Sequence, residues 1–266
     1  MFLFRASTPV VVVVIGGWVL AATVAGIVVG RRLRTNNEGL RDPVGAMQAA
    51  LLAFVAVLFA FGLSMGVDRY EGRRQAVLVE ANAIGTTYLR AELLPEPERS
   101  RSLHLLQDYT DARIRVSNTD VDTKAFNEAV SKGREIQRSL WAEAGSAVKS
   151  LPTDTTPRLY LDSLNQMIDA DTARVSALGN RIPVSVLTLH ILAGGLAMGV
   201  LGLFMGLIGR GTRVVLVGSV LVALILLVVI DLDRPRRGLV VVPRAPLTAL
   251  RASMDEVPAA GGPILN

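Results

Sequence analysis

The run GLSMGVDRYEGRRQAVLVEANAIGTTYLR, Gly62 to Arg90, decides how this chain is built. An apolar stretch ends at Val67 and charged residues begin at Asp68, yet no proline or turn-forming cluster separates them. A helix stops where proline removes a backbone donor or where a turn sequence takes over, and neither is present here. The run therefore predicts one helix that leaves an apolar medium and continues into water.

Outward from this run the composition agrees. Of the 266 residues, 51% are hydrophobic and the mean hydropathy is +0.44. The apolar residues bunch into four runs: Pro9–Gly30, Val44–Val67, Val184–Ile208 and Val214–Ile230, the last extended by Leu232. A helix needs roughly 20 apolar residues to cross a bilayer core, so all four are long enough. Membrane strands alternate in polarity, and these continuous runs exclude a barrel. The first run has only Arg5 before it and no A-x-A site after it. "RRLR" (Arg31–Arg34) reads as a stop flank, which favours an uncleaved anchor over a signal peptide.

There is no cysteine, and hence no disulfide or thiolate metal site. The formal charge is +5 and the pI about 10.1. Arginines flank the spans, which points to lipid headgroups and away from nucleic acid.

The polar region between the second and third runs lacks strand-like alternation. It divides at proline clusters into helices: the opening one to about Leu94, then Glu98–Ser117, Thr123–Ser150 and Arg158–Arg181. In the third of these, Phe126, Ala129, Val130, Gly133, Ile136, Leu140, Ala144 and Val148 share a face. In the fourth, Leu161, Leu164, Ile168, Asp171, Val175, Leu178 and Ile182 form a heptad seam interrupted only by Asp171. That seam packs either within the chain, the favoured reading, or across a subunit interface.

The expected fold class is an all-α membrane protein with four transmembrane helices and a helical cytoplasmic insert. Its parts are a first helix pair (1–67), the bundle (68–183), a second pair (184–233) and a tail (234–266) whose end, from Arg251, is expected to be disordered. Four spans place both termini and the bundle on one side. Eleven arginines flank that side against six opposite, so it is expected to be cytoplasmic, although the first loop argues the other way.

Catalysis has little basis. His104 and His190 stand in no motif, and the spans contain no Asp, Glu, Lys or Arg, apart from Asp231 at the very end of the fourth. That argues against a proton relay, a voltage sensor or a coupled transporter. No catalytic residue, metal ligand or cofactor is assigned. His104 reads as a solvated helix residue. His190 lies inside the third run and is either a functional group or a neutral interfacial histidine. Gly195, Gly199, Gly202 and Gly206 share one face of that run, and Ala49, Ala53, Ala56 and Ala60 form a small stripe on the second. Both read as tight packing between spans. Ala53, Val57 and Phe61 step by four along the second run, as ordinary core or as the apolar neck of a pore able to gate by dewetting.

"FGLSMGVDRYEGRRQA" (Phe61–Ala76) resembles the bestrophin segment in which an aromatic at a membrane neck precedes, by eight residues, the arginine of a D-R-W-W-E-G-R-like run. Phe61 and Arg69 keep that interval. "VEANAIGTTYLRAELLP" (Val79–Pro95), "YTDARI" (Tyr109–Ile114), "RIPVSV" (Arg181–Val186) and "DLDRPRRGLVVVPRAPL" (Asp231–Leu247) resemble the bestrophin-like domain family. The resemblance implies a bacterial plasma-membrane ion channel, a homo-oligomer and by family a pentamer, with Ala53, Val57 and Phe61 at its neck. Asp68, Arg69, Glu71, Arg73, Glu80 and Asn82 would order the junction between span and bundle. The acidic calcium-binding run of animal bestrophins is replaced by "DLDRPRRG", which counts against calcium gating. Implied partners are the lipid bilayer and ions. The competing reading is a non-conducting membrane-anchored sensor or scaffold whose bundle binds a partner.

Overall fold

A computed structural model of the chain describes residues 6–34, 38–121, 123–235 and 238–256. Among them are eight α-helices, a short 3-10 turn at Glu38–Leu40 and no strand. The helices are α1 (Thr8–Leu33), α2 (Arg41–Ala91), α3 (Glu98–Asn118), α4 (Lys124–Ser150), α5 (Thr156–Gly179), α6 (Val184–Ile208), α7 (Thr212–Leu232) and α8 (Ala245–Ser253). Four segments are long and apolar enough to cross a membrane: α1, the first part of α2, α6 and α7. The opening run is helical throughout, inside the 51-residue α2. Proline is absent from α2 after Pro43, and the helix ends just before Pro95.

The chain forms two compact units. Met1–Tyr70 with Arg181–Val241 make the first, and Glu71–Asn180 with Val242–Asn266 the second.

In the first unit α1 and α6 approach most closely. The glycine face of α6 makes this possible. A Cβ on Gly206 would stand 2.5 Å from the Ile27 carbonyl oxygen, and one on Gly202 would run into that of Thr23. The close approach is built from both sides, because a Cβ on Gly26 would meet the Gly199 carbonyl and one on Gly30 that of Leu203. In lipid no hydrophobic force drives helices together, so close backbone approach supplies the dispersion energy. The partner of the glycine face is thus α1 of the same chain. A buried hydrogen bond of 2.8 Å between the Thr23 and Ser219 hydroxyls ties α1 to α7. Gly209 and Gly211, at φ 78° and 77°, make the left-handed turn between α6 and α7, where glycine avoids a Cβ penalty. On the single chain, Ala49, Ala53, Ala56 and Ala60 of the α2 alanine stripe are all exposed.

The second unit is a bundle of the later part of α2 with α3, α4, α5 and α8. Thr123 caps α4, its Oγ1 accepting the Phe126 N–H at 3.2 Å. The predicted face of α4 is the buried one, from Phe126 through Gly133 to Ala144. On α5 the seam packs inside the unit, with Leu164, Asp171 and Leu178 buried. The buried stripe is centred slightly off the heptad positions and also includes Met167 and Arg174. The region after α7 is not uniformly a tail. Ala245–Ser253 is a helix whose Leu247 is fully buried, and Met254 follows it into the core. The Met254 carbonyl accepts from Tyr88 and from Gln107, each at 3.3 Å. Most of the segment expected to be disordered, 257–266, lies outside the described residues.

Candidate functional site

Within the first unit α2 has two unlike faces. Val55, Phe59, Gly62 and Gly66 are buried against α6 and α7. Ala53, Val57 and Phe61 are turned the other way, with Val57 55% and Phe61 64% exposed. As ordinary core of one chain this row does not qualify. The three side chains do share one face of the helix, as the four-residue steps require.

The buried face is organised around His190 on α6, which is 3% exposed. Its Nε2 lies 2.8 Å from the Leu58 carbonyl oxygen on α2 and its Nδ1 2.7 Å from the Val186 carbonyl oxygen on α6. Phe59 stacks on the ring at 6.1 Å between centroids and 17° between planes. A side chain on Gly62 would occupy the place of the imidazole, so glycine is what lets the ring reach across. Of the two sequence readings of His190, neither anticipated this role as a clasp between spans. His104 is exposed, as a solvated residue should be.

The residues read as a junction fall into different environments. Asp68, Glu71 and Asn82 are exposed, Arg69 is half-buried and Arg73 is buried. Glu71 pairs on the surface with Arg74 at 3.2 Å. Glu80 enters a buried ionic cluster inside the second unit.

That cluster joins four helices. Glu80 of α2 accepts from Arg113 Nε of α3 at 2.7 Å and also pairs with Arg174 of α5. Arg113 pairs in turn with Asp171 of α5. Gln137 of α4 donates to Asp171 at 2.8 Å and lies 3.1 Å from the Tyr109 hydroxyl. Two arginines against two carboxylates leave no net charge, which is the condition for burying ions at tolerable cost. Burial raises the Asp171 carboxyl above the usual carboxylate range, opposed by Arg113 and reinforced by Glu80. Burial likewise pushes the Tyr109 phenol up. Gly133 packs beside Arg113 and Tyr109, where an added Cβ would make only ordinary contacts at 3.4 and 3.7 Å. The sequence carried partial signals for this cluster: Asp171 interrupts the seam, and Glu80, Tyr109 and Arg113 lie in the family-like motifs. Gln137 and Arg174 gave none, because an arginine or glutamine on an amphipathic helix ordinarily faces water.

A third group of polar contacts joins the motifs around α6 and α7. Asp233 accepts the Ile182 N–H at 2.9 Å, and Asp231 accepts those of Leu239 and Val240 at 2.8 and 3.0 Å. The "RIPVSV" and "DLDRPRRG" stretches thus meet in space. Among the described residues no three His, Cys, Asp or Glu side chains stand together as metal ligands would.

Comparison with known proteins places this arrangement. A family model described as the Bestrophin-like domain matches residues 13–247. No curated protein matches the chain. Among solved structures, a bacterial bestrophin homologue from Klebsiella pneumoniae is similar with a TM-score of 0.62 at 14% identity, covering 88% of this chain and 95% of that one. A single-residue variant of the Klebsiella homologue reaches 0.65 at the same 14% identity, covering 89% and 97%. A variant described only as a membrane protein reaches 0.66, also at 14%, covering 90% and 97%. At such identity the likeness speaks for the fold. With the family model spanning nearly all of the described helices, the chain is a membrane protein belonging to the bestrophin-like family.

Proposed function

We propose that this protein is an ion channel in which several copies, five by analogy with the family, surround a central axis. The α2 helices line it, and Ala53, Val57 and Phe61 form an apolar neck. The observation that supports this reading is the two-faced character of α2. One face is buried in its own unit, and on the other Val57 and Phe61 are each more than half exposed among the described residues. An apolar constriction resists wetting and so provides a gate without any charged group. Arg69 follows Phe61 at the interval of the family motif, where the helix meets water. The helical bundle and both termini are assigned to the cytoplasm, and the membrane to the bacterial plasma membrane.

The reading as a non-conducting sensor or scaffold relied on the α5 seam as a partner surface. Leu164, Asp171 and Leu178 of that seam are buried in their own unit, which leaves less of it to bind a partner.

Planar-bilayer recording of the purified protein tests the proposal. Conductance is expected, with an altered unitary size in Phe61→Ala. Absence of conductance in a folded, oligomeric wild type would overturn it, as would a purely monomeric protein, since a pore between subunits needs a closed ring.

A further inference from the structure

A groove of about 760 Å³ runs along the first unit between α1, α2 and α6. Its walls are apolar throughout and include Trp18, Ala25 and Val29 of α1, Phe54 of α2, and Leu192 and Leu196 of α6. That volume is in the range of small-ligand sites, which span roughly 300–1,000 Å³. Trp18 closes the groove on one side and is held there by its indole N–H, which donates to the Ile191 carbonyl at 3.0 Å.

What lies past the other end identifies the occupant. Trp18, Ala22, Ala25 and Val29 follow steps of four, three and four on α1, and the same stripe continues to Arg32, which is exposed. Arg31 and Arg34 extend beside it to the α6–α7 turn: Arg31 donates to the Thr212 hydroxyl at 3.2 Å, and the Arg34 guanidinium lies against Gly209. Arg210 and Arg213 are exposed in the same turn region. Among the described residues none of these five arginines is ion-paired with an acidic side chain. An apolar slot that ends under a cluster of cations matches one amphiphile: a hydrocarbon chain carrying an anionic head.

We infer that this groove holds an acyl chain of an anionic phospholipid, whose phosphate rests among Arg31, Arg32 and Arg34. The groove meets α2 at Leu51 and Phe54, and Phe54, one heptad before Phe61, shares that side of the helix.

The test uses full-length protein in nanodiscs of equal phosphatidylglycerol and phosphatidylcholine. Extraction into mild detergent is followed by native mass spectrometry, which counts bound phospholipid and subunits together. Retained phospholipid is expected, with phosphatidylglycerol preferred. Ala25→Trp fills the groove and is expected to strip most of it, while Arg32→Gln is expected to lower the preference about fivefold, the effect of one arginine near a charged head. Wild-type retention in Ala25→Trp would overturn the inference. So would a changed subunit number with lipid still bound, which would make the groove the seat of a neighbouring copy. If Ala25→Trp does not fold, Arg32→Gln decides alone, because its side chain is exposed and takes no part in packing; an unchanged preference there would also overturn it.

Discussion

His190 Nε2 lies 2.8 Å from the carbonyl oxygen of Leu58, so the third span reaches across to the backbone of the second. The Leu58 carbonyl, on a helix turn next to Gly62, is accessible only because residue 62 has no side chain. A neutral imidazole has one N–H, and here it has carbonyl oxygens at both nitrogens. The clasp is thus polar, local and dependent on a glycine. Gly62→Leu is expected to destabilise the first unit by roughly 1–3 kcal/mol through overpacking. His190→Phe, which keeps the stack on Phe59 but removes the donor, is expected to cost about 1 kcal/mol. Thermal unfolding in detergent would read both, and a Gly62→Leu protein as stable as wild type would show that the two spans are not held at this point.

The glycine face of α6 supports a sharper contrast. Gly202→Leu would drive a side chain into the Thr23 carbonyl of α1, whereas a Cβ on Gly16 would meet nothing within 4 Å. Gly202→Leu is expected to lose roughly 1–3 kcal/mol and Gly16→Leu nothing. Because α1 belongs to the same chain, the loss should appear as lowered thermal stability of each subunit. Selective loss of the oligomer with subunit stability intact would contradict the packing described.

Phe59 and Phe61 are two residues apart and have opposite environments, at 6% and 64% exposure. Phe59→Ala opens a cavity beside His190 and is expected to cost about 3–5 kcal/mol. Phe61→Ala is expected to leave the melting temperature of the subunit nearly unchanged while altering conductance. Equal destabilisation by the two substitutions would show that α2 is not two-faced.

In the second unit Glu80 serves two arginines. Glu80→Gln leaves Arg113 and Arg174 without half of their compensating charge, at an expected cost of about 3–5 kcal/mol. Hydrogen exchange of amides in residues 71–180 would report the loss. Surface pairs such as Glu71–Arg74 make a suitable control, since Glu71→Gln is expected to change stability by less than about 1 kcal/mol.

Asp171 adds a pH dependence of defined sign. Its carboxyl titrates above the ordinary value because burial penalises the charge. The folded protein therefore takes up this proton more readily than the unfolded chain. Its contribution to stability is complete below the unfolded value of 3.8 and is lost as pH rises through the folded one. Asparagine cannot titrate, so the melting temperature of wild type relative to Asp171→Asn is expected to improve as pH is lowered from neutrality toward about 4. A difference that is flat or of opposite slope would mean that the carboxyl is not raised.

Much of this molecule was legible in its residues. Apolar run length marked the four spans within a few residues, because a bilayer imposes one length on every helix that crosses it. The absence of proline between Val44 and Leu94 implied the long α2, and Thr123 announced the start of α4. The family-like motifs pointed to Glu80, Tyr109 and Arg113 without saying that they meet. Local signals of this kind depend on neighbours three or four residues away, and a sequence displays those directly.

What only the tertiary structure decided is which surfaces face each other. Glycine at 199, 202 and 206 announces close packing, but the choice of α1 over another subunit depends on matching glycines at 26 and 30, over 170 residues away. Arg174 reads as a solvated charge until Glu80 from another helix neutralises it. Phe59 and Phe61 are indistinguishable as letters, and a rotation of about 200° around the α2 axis, set by its contacts with α6 and α7, buries one and exposes the other. Burial is a property of the pair of surfaces, and so no single stretch of the chain contains it.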